Sequence, residues 1–212
     1  MSEKFMKIGI LGGTFNPVHC GHLIVAEAVR EAFGLDRVLF IPTGLPPHKS
    51  KNEVAGAEHR YNMVEGAVRS NPYFEASRAE IERPGYTYTV DTLRSLGVQY
   101  GENAGLYFII GADVINELAT WKNFKEVFAR CSFIAVGRPG VGKDAFDGDV
   151  ARLKEKYPVS ISVFEAPLMD ISSTGIRERV GAYKSIKYLV PECVEEYIYE
   201  NGLYVAGDTE QT

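Results

Sequence analysis

Two histidines three residues apart, His19 and His22, stand in a glycine-rich segment near the start of the chain, GGTFNPVHCGH. The segment follows the apolar run MKIGIL and precedes a helical pattern over residues 21–33. A strand that enters a helix through glycines directs free backbone N–H groups and the positive end of the helix dipole at one point, where phosphate binds. The two imidazoles add side-chain donors at the same point. We therefore predict a phosphate-binding turn.

A second candidate phosphate site lies late in the chain, in the segment ISSTGIR. Three hydroxyl residues, Ser172, Ser173 and Thr174, precede a helical pattern, and Arg177 follows within its first turn. Helix capping explains one of these hydroxyls but not three. Hydroxyls, free N–H groups and a guanidinium are donors that bind phosphate. A chain with two such helix starts is predicted to hold a polyphosphate from two sides.

The elements that must position these segments alternate along the chain. Short apolar runs predict strands at 7–11, 37–42, 73–81, 106–111, 132–137 and 159–166. Helical patterns are found at 21–33, 57–70, 89–100, 122–130, 148–157, 174–182 and 191–201. This alternation is typical of an α/β fold. We predict a single Rossmann-like, doubly wound parallel sheet with helices on both faces and a C-terminal helical extension.

The polar segments of the chain follow the predicted strands. In open parallel sheets, ligands bind beyond the carboxyl ends of the strands, where the strand order reverses. The segments at those ends are GGTFNPVHCGH, PTGLPPHK (42–49), RPGYTYT (83–89), GAD (111–113) and MDISSTGIR (169–177). The proline-stiffened PTGLPPHK presents two cationic donors, His48 and Lys49, and is predicted to hold a second phosphorylated substrate.

Two other uses of these motifs, a zinc site and a P-loop, fit the sequence less well. Zinc would need three or four ligands, and besides the two histidines of the first turn only Cys20 and His48 are at hand, with no close carboxylate. The segment GRPGVGK (137–143) has the spacing of a P-loop, but Asp144 stands where the hydroxyl that holds Mg²⁺ belongs. We predict no protein-bound metal site.

Composition excludes several classes of protein. The 212 residues are 45% hydrophobic, enough for a full core, and the net charge of −5 argues against a nucleic-acid partner. No apolar run is long enough for a signal peptide or a membrane span. The three cysteines are far apart, which is typical of a reducing cytoplasm, and we expect Cys131 and Cys193 to be buried. We predict one domain over 1–205 and a polar tail over 206–212.

The whole set of motifs resembles a known family. The H-x-G-H of the first turn, together with ISSTGIR, is similar to the H-x-G-H nucleotidyltransferase superfamily. Within it, PPHK, RPGYTYTVDTL, IIGAD and LATW resemble bacterial nicotinate mononucleotide adenylyltransferases. The resemblance extends from about residue 6 to residue 204, and the combination of motifs in this order is specific to that branch. It implies transfer of AMP from ATP to nicotinate mononucleotide, with Mg²⁺, giving nicotinate adenine dinucleotide (deamido-NAD) and pyrophosphate.

The resemblance also implies roles for individual residues. ATP would be held by Gly12, Gly13, Thr14, Phe15, His19, His22, Gly111 and Asp113. The ATP phosphates would be gripped by Ser172, Ser173 and Arg177. The mononucleotide would be bound by His48 and Lys49 at its phosphate and by Tyr88, Thr89 and Trp121 around its pyridine ring. The catalytic residues would be His19, His22 and Arg177.

Charge considerations suggest how such a reaction proceeds. A phosphate monoester is mostly a dianion at neutral pH, so it attacks without a general base. The protein must align the reactants and stabilise charge, while Mg²⁺ is carried by the phosphates.

Other functions remain open at the level of sequence. A transferase for pantetheine phosphate or nicotinamide mononucleotide would share the first turn. A nucleotide sensor without catalysis could dispense with His19, His22 or Arg177, and all three are present. The sequence leaves open whether the chain forms a homo-oligomer.

Overall fold

The computed structural model describes residues 5–44, 54–137, 143–167 and 169–205, with the side chains of 143–146 excepted. The strands are β1 (Met6–Gly13), β2 (Arg37–Pro42), β3 (Phe74–Ala76), β4 (Ala104–Gly111), β5 (Ser132–Gly137) and β6 (Ile161–Glu165). The helices are α1 (Cys20–Phe33), α2 (Ala57–Val68), α3 (Thr89–Tyr100), α4 (Phe124–Arg130), α5 (Lys143–Lys156), α6 (Ser173–Gly181) and α7 (Glu192–Glu200). A 3-10 helix, Ala112–Thr120, joins β4 to α4.

The six strands form one parallel sheet in the order β3-β2-β1-β4-β5-β6. The strand order reverses between β1 and β4, which pair directly: Ile10 of β1 lies between Leu39 of β2 and Phe108 of β4. The crevice beyond the carboxyl ends of β1 and β4 is therefore the place where a sheet of this topology generally binds ligands. The predicted Rossmann-like α/β fold is confirmed.

Both faces of the sheet are covered because successive side chains of a strand point to opposite faces. Leu39 and Ile41 of β2 belong to one buried cluster, whereas Val38 and Phe40 belong to the other. The first cluster includes residues of α3, α4, α5 and the 3-10 helix, and the second includes residues of α1, α2, α6 and α7. Each face thus has its own layer of helices, as a doubly wound sheet requires.

The structure corrects the sequence analysis in three places. The strand predicted at 73–81 is only Phe74–Ala76, because the chain leaves β2 after a last hydrogen bond from the Ser77 N–H to the Phe40 carbonyl (2.9 Å). The 3-10 helix was not predicted. Cys193 is exposed rather than buried, whereas Cys131 is buried.

None of the helices in the described ranges is both long and apolar enough to cross a membrane.

Candidate active site

The turn between β1 and α1 leads directly into the helix and has a buried aromatic residue near its start. Phe15 takes a positive φ of 48° and is buried, and its ring meets the edge of the His22 ring with centroids 5.0 Å apart. The chain then reaches His19, the N-cap of α1, in an extended conformation. In the first turn of α1, the Cys20 N–H donates to the Leu189 carbonyl (2.9 Å) and the His22 N–H donates to the His19 carbonyl (3.0 Å).

The two histidines of this turn stack on one another. Their ring centroids are 3.7 Å apart with an interplanar angle of 26°. The backbone N–H of His19 donates to Nδ1 of His22 (3.2 Å), so the neutral His22 ring carries its proton on Nε2. Glycine between them leaves room for this stacking, since a Cβ on Gly21 would lie 3.1 Å from Nδ1 of His19, closer than an ordinary contact. The spacing H-x-G-H therefore has a steric reason.

Burial keeps both imidazoles neutral. Desolvation lowers the pKa of His19 from its ordinary value to about 4. Desolvation, and then the neighbouring His19, lower the pKa of His22 to about 3. At neutral pH the pair can therefore offer N–H donors to an anion without adding formal charge.

The late segment lies directly against this turn. Ser173 donates its hydroxyl to the Pro17 carbonyl (2.8 Å), and Nη1 of Arg177 donates to the Asn16 carbonyl (2.8 Å). Ser172 caps α6 by accepting a hydrogen bond from the Gly175 N–H (3.1 Å). The two segments that were predicted to hold a polyphosphate are thus adjacent. The Ser173 hydroxyl and the Arg177 guanidinium join them.

A cavity of about 560 Å³ opens between the carboxyl ends of β1 and β4. His19 and His22 form one wall, Gly111 and Asp113 another, and Ile171 of the late segment a third. The first turn, the end of β4 and the late segment therefore share one cleft. Ser172, Ser173 and Arg177 do not line this cavity.

The Asp113 side chain lies close to Gly111 at the end of β4. A Cβ on Gly111 would collide with the Asp113 carboxylate. Asp113 itself is exposed at the start of the 3-10 helix and faces the cavity. A carboxylate in this place can accept hydrogen bonds from hydroxyl groups, such as those of a ribose.

A second cavity, also of about 560 Å³, lies at the N-terminus of α3. Tyr88, Thr89 and Trp121 line it together, although they come from two separate parts of the chain. Trp121 is half-buried and held edge-on against Phe108, with ring centroids 5.9 Å apart. Its indole, packed against Phe108, therefore forms one wall of this cavity. Lys122, whose ammonium lies 3.8 Å from the Tyr88 ring centroid, adds a positive charge at the rim.

The structure assigns structural contacts to residues that the sequence analysis did not single out. Asn16 accepts two hydrogen bonds at its side-chain oxygen, from the Tyr204 hydroxyl (2.8 Å) and the Ala55 N–H (3.1 Å). Its only sequence signal was its position inside the first turn. Lys122 adjoins the predicted Trp121, yet a lysine next to an aromatic residue is too common to indicate a site. His48 and Lys49, predicted for the second substrate, lie outside the described residues.

No three His, Cys, Asp or Glu side chains meet as metal ligands within the described ranges. Around the first cavity the imidazoles are hydrogen-bond donors, and Asp113, the one carboxylate that lines it within the described ranges, is an acceptor. This set is suited to a phosphate chain and a ribose.

Comparison with known proteins agrees with this geometry. A family model described as cytidylyltransferase-like matches residues 10–179. A protein of a Thermoanaerobacter species, described as a probable nicotinate-nucleotide adenylyltransferase, is 48% identical over 95% of this chain and 96% of its own length. A Moorella thermoacetica protein with the same description is 49% identical over 93% of this chain and 91% of its own.

Solved structures give the same fold. The Plasmodium falciparum nicotinic acid mononucleotide adenylyltransferase, solved in complex with NaAD, superposes with a TM-score of 0.75. It is 22% identical, and the match covers 94% of this chain and 97% of that one. The family match and the close relatives over nearly the whole length lead to one conclusion: this chain belongs to the cytidylyltransferase-like family and, within it, to the nicotinate-nucleotide adenylyltransferases.

Proposed function

We propose that this chain transfers AMP from ATP to nicotinate mononucleotide, giving nicotinate adenine dinucleotide and pyrophosphate in NAD biosynthesis. The observation that carries the proposal is the stacked, neutral pair His19 and His22 at the start of α1, facing the same cleft as Asp113. The close relatives, named for this activity, support it across more than nine-tenths of the chain.

ATP occupies the first cavity in this proposal. Its adenosine lies near Gly111, with a ribose hydroxyl donating to Asp113. Its phosphates lie at the N-terminus of α1, where the helix dipole favours negative charge, beside Gly12 and Gly13 at the end of β1 and Thr14 and Phe15 of the turn. His19 and His22 bind the phosphate oxygens. The late segment encloses the phosphate chain through Ser172, Ser173 and Arg177, the last of which must exchange its bond to the Asn16 carbonyl for one to phosphate.

Nicotinate mononucleotide occupies the second cavity. Tyr88 and Thr89 offer backbone N–H groups at the N-terminus of α3, which suit the carboxylate of nicotinate. Trp121 offers an aromatic face to the pyridine ring. His48 and Lys49 take the phosphate of the mononucleotide. A negatively charged pyridine substituent is therefore favoured over a neutral amide.

The chemical step is an in-line displacement. An oxygen of the mononucleotide phosphate forms a bond to the α-phosphorus of ATP, the bond from that phosphorus to the bridging oxygen breaks, and pyrophosphate leaves with the electron pair. The attacking phosphate is already a dianion near pH 7, so no proton need be removed. The Nε2–H of His22 and the guanidinium of Arg177 stabilise negative charge that develops on the phosphate oxygens.

The protein's donors are complemented by a metal. Mg²⁺ would be held by ATP rather than by side chains of the described residues, and it would neutralise part of the phosphate charge. The cleft presents donors to the phosphates rather than a carboxylate cluster, which is consistent with a metal that enters with ATP. A cytoplasmic location is consistent with ATP as a substrate and with cysteines that are all free.

The test is pyrophosphate release from ATP and Mg²⁺ with three acceptors: nicotinate mononucleotide, nicotinamide mononucleotide and phosphopantetheine. We expect kcat/KM to be at least about tenfold higher for the first, because one well-placed recognition of a charged group is worth about 1.5–3 kcal/mol. The His22→Asn enzyme, purified in parallel, controls for contaminating activity. Preference for another acceptor would overturn the substrate assignment, and no release with any acceptor would overturn the proposed reaction.

A further inference from the structure

One arginine of the described chain is completely enclosed. Arg60, in the first turn of α2, is only 2% exposed. Its guanidinium donates to three backbone carbonyls: Nε to Ala55 (2.9 Å), Nη1 to Thr14 (2.8 Å) and Nη2 to Gly44 (3.0 Å). Within the described residues it donates no hydrogen bond to a carboxylate. All three nitrogens of the fork are thus used to hold main chain.

The three carbonyls come from three different parts of the site. Thr14 belongs to the turn after β1, where the ATP phosphates are proposed to lie. Gly44 follows the end of β2, and Ala55 precedes α2. These two residues flank the segment that contains His48 and Lys49, the residues predicted to bind the mononucleotide phosphate. Arg60 therefore joins the ATP side of the site to the main chain on both sides of that segment.

Further contacts fix the same junction. Ala55 is held twice, since its N–H also donates to the side-chain oxygen of Asn16 in the first turn (3.1 Å). Gly44 is held from the other side, because a Cβ there would collide with the Glu80 carbonyl. Neither Ala55 nor Gly44 can shift relative to the first turn without breaking one of these contacts.

The choice of arginine is informative. Its planar fork reaches three acceptors in fixed directions, which the single ammonium of lysine cannot do. Taking a guanidinium out of water costs free energy, and burial lowers the pKa of Arg60, although the nearby Glu80 carboxylate acts in the opposite direction. An apolar side chain would fill the same space but would leave the three carbonyls without these donors. The arginine is therefore accounted for by the positions it imposes on three carbonyls.

We propose that Arg60 is a positioning residue for adenylyl transfer: it holds the turn of Thr14 and the main chain at Gly44 and Ala55 at the separation that aligns the two substrates. It touches neither substrate. This inference rests on the proposed function, because that function places one substrate on each side of the junction. A displacement of about 1 Å between reacting groups costs about 100-fold in rate.

The test compares Arg60→Met and Arg60→Lys with a matched variant, Val64→Ala. Val64 is fully buried one turn further along α2, so its truncation loosens the same helix but leaves the three carbonyls bonded. For each protein we would measure kcat with both substrates saturating, the Kd of nicotinate mononucleotide, the Kd of a non-hydrolysable ATP analogue, and the unfolding midpoint.

We expect Arg60→Met to lower kcat about 100-fold while each Kd changes less than about fivefold. Arg60→Lys, which keeps the charge and can retain one of the three bonds, should fall between Arg60→Met and the wild type. Val64→Ala should keep its kcat within about twofold despite a lower unfolding midpoint. If Arg60→Met does not fold, Arg60→Lys alone decides, with an expected loss of kcat of at least about fivefold.

Two results would overturn the proposal: Arg60 variants whose kcat follows that of Val64→Ala, or variants whose loss of activity lies entirely in the two Kd values. Failure of the proposed function would appear differently. In that case the wild-type protein itself would release no pyrophosphate with nicotinate mononucleotide.

Discussion

Replacing Gly21, the glycine between the two histidines, with alanine should lower activity while leaving stability nearly unchanged. In Gly21→Ala, the added Cβ lies 3.1 Å from Nδ1 and 3.2 Å from Cε1 of His19, closer than the 3.4 Å at which ordinary contact begins. Relief requires the His19 ring to move by about 0.3 Å. The ring cannot move alone, since it stacks on His22 at 3.7 Å.

The size of the effect follows from that displacement. If 1 Å costs about 100-fold in rate, 0.3 Å costs about fourfold, so we expect kcat to fall about fourfold. Alanine is a better helix residue than glycine by about 0.5–1 kcal/mol, which offsets the steric strain. The unfolding midpoint of Gly21→Ala should therefore change by less than about 2 °C.

The matched control is Gly97→Ala in α3. The nearest atom to its added Cβ is the flexible end of Arg130, at 3.9 Å, so this variant gains helix propensity without strain. We expect its unfolding midpoint to rise by about 1–4 °C with unchanged kcat. The assay is pyrophosphate release with both substrates saturating, beside thermal unfolding followed by circular dichroism. A Gly21→Ala enzyme with wild-type kcat would refute the steric reason given for H-x-G-H.

Three further predictions concern the same framework. Because burial holds the pKa values of His19 and His22 at about 4 and 3, below the ordinary 6.5, the stability they contribute is complete above about pH 6.5. It declines as the pH falls below about 6.5 and is lost completely only below the folded pKa values. Urea unfolding of the ligand-free protein between pH 7 and 4.5 should show this decline, less steeply in His22→Asn. Tyr204→Phe removes a donor to Asn16 and should lower the free energy of unfolding by about 1 kcal/mol in the same assay, with no change contradicting the contact. Trp121→Ala should raise the KM for nicotinate mononucleotide about tenfold and leave the KM for ATP unchanged, whereas equal changes would remove Trp121 from the pyridine site.

The fold could be predicted because its signals are local. Alternating apolar runs and helical patterns fix element type, and the apolar character of LYFII and FIAV on both alternations indicates strands covered on both faces. The strand at 73–81 was overestimated because an edge strand ends where its single neighbour turns away, which depends on Phe40 and Ser77 and not on the local sequence.

The candidate site was partly readable for the same reason. Glycines, histidines and hydroxyls at the ends of predicted strands indicated His19, His22, Asp113 and the late segment, and the parallel topology brought them together. Arg60 gave no such signal. Its function depends on carbonyls 5, 16 and 46 residues away, and such a junction exists only once the chain is folded.

In the proposed reaction, a neutral His22 donates a hydrogen bond from Nε2 to the phosphates as the new bond forms. The direct test is the His22→Asn enzyme, since the Asn side-chain oxygen can still accept from the His19 N–H while the Nε2 donor is lost. We expect kcat to fall about 100- to 1,000-fold, as for loss of one transition-state donor, and the Kd of nicotinate mononucleotide to stay within about threefold. Equal losses in turnover and in mononucleotide binding would contradict this role of His22 in the chemical step.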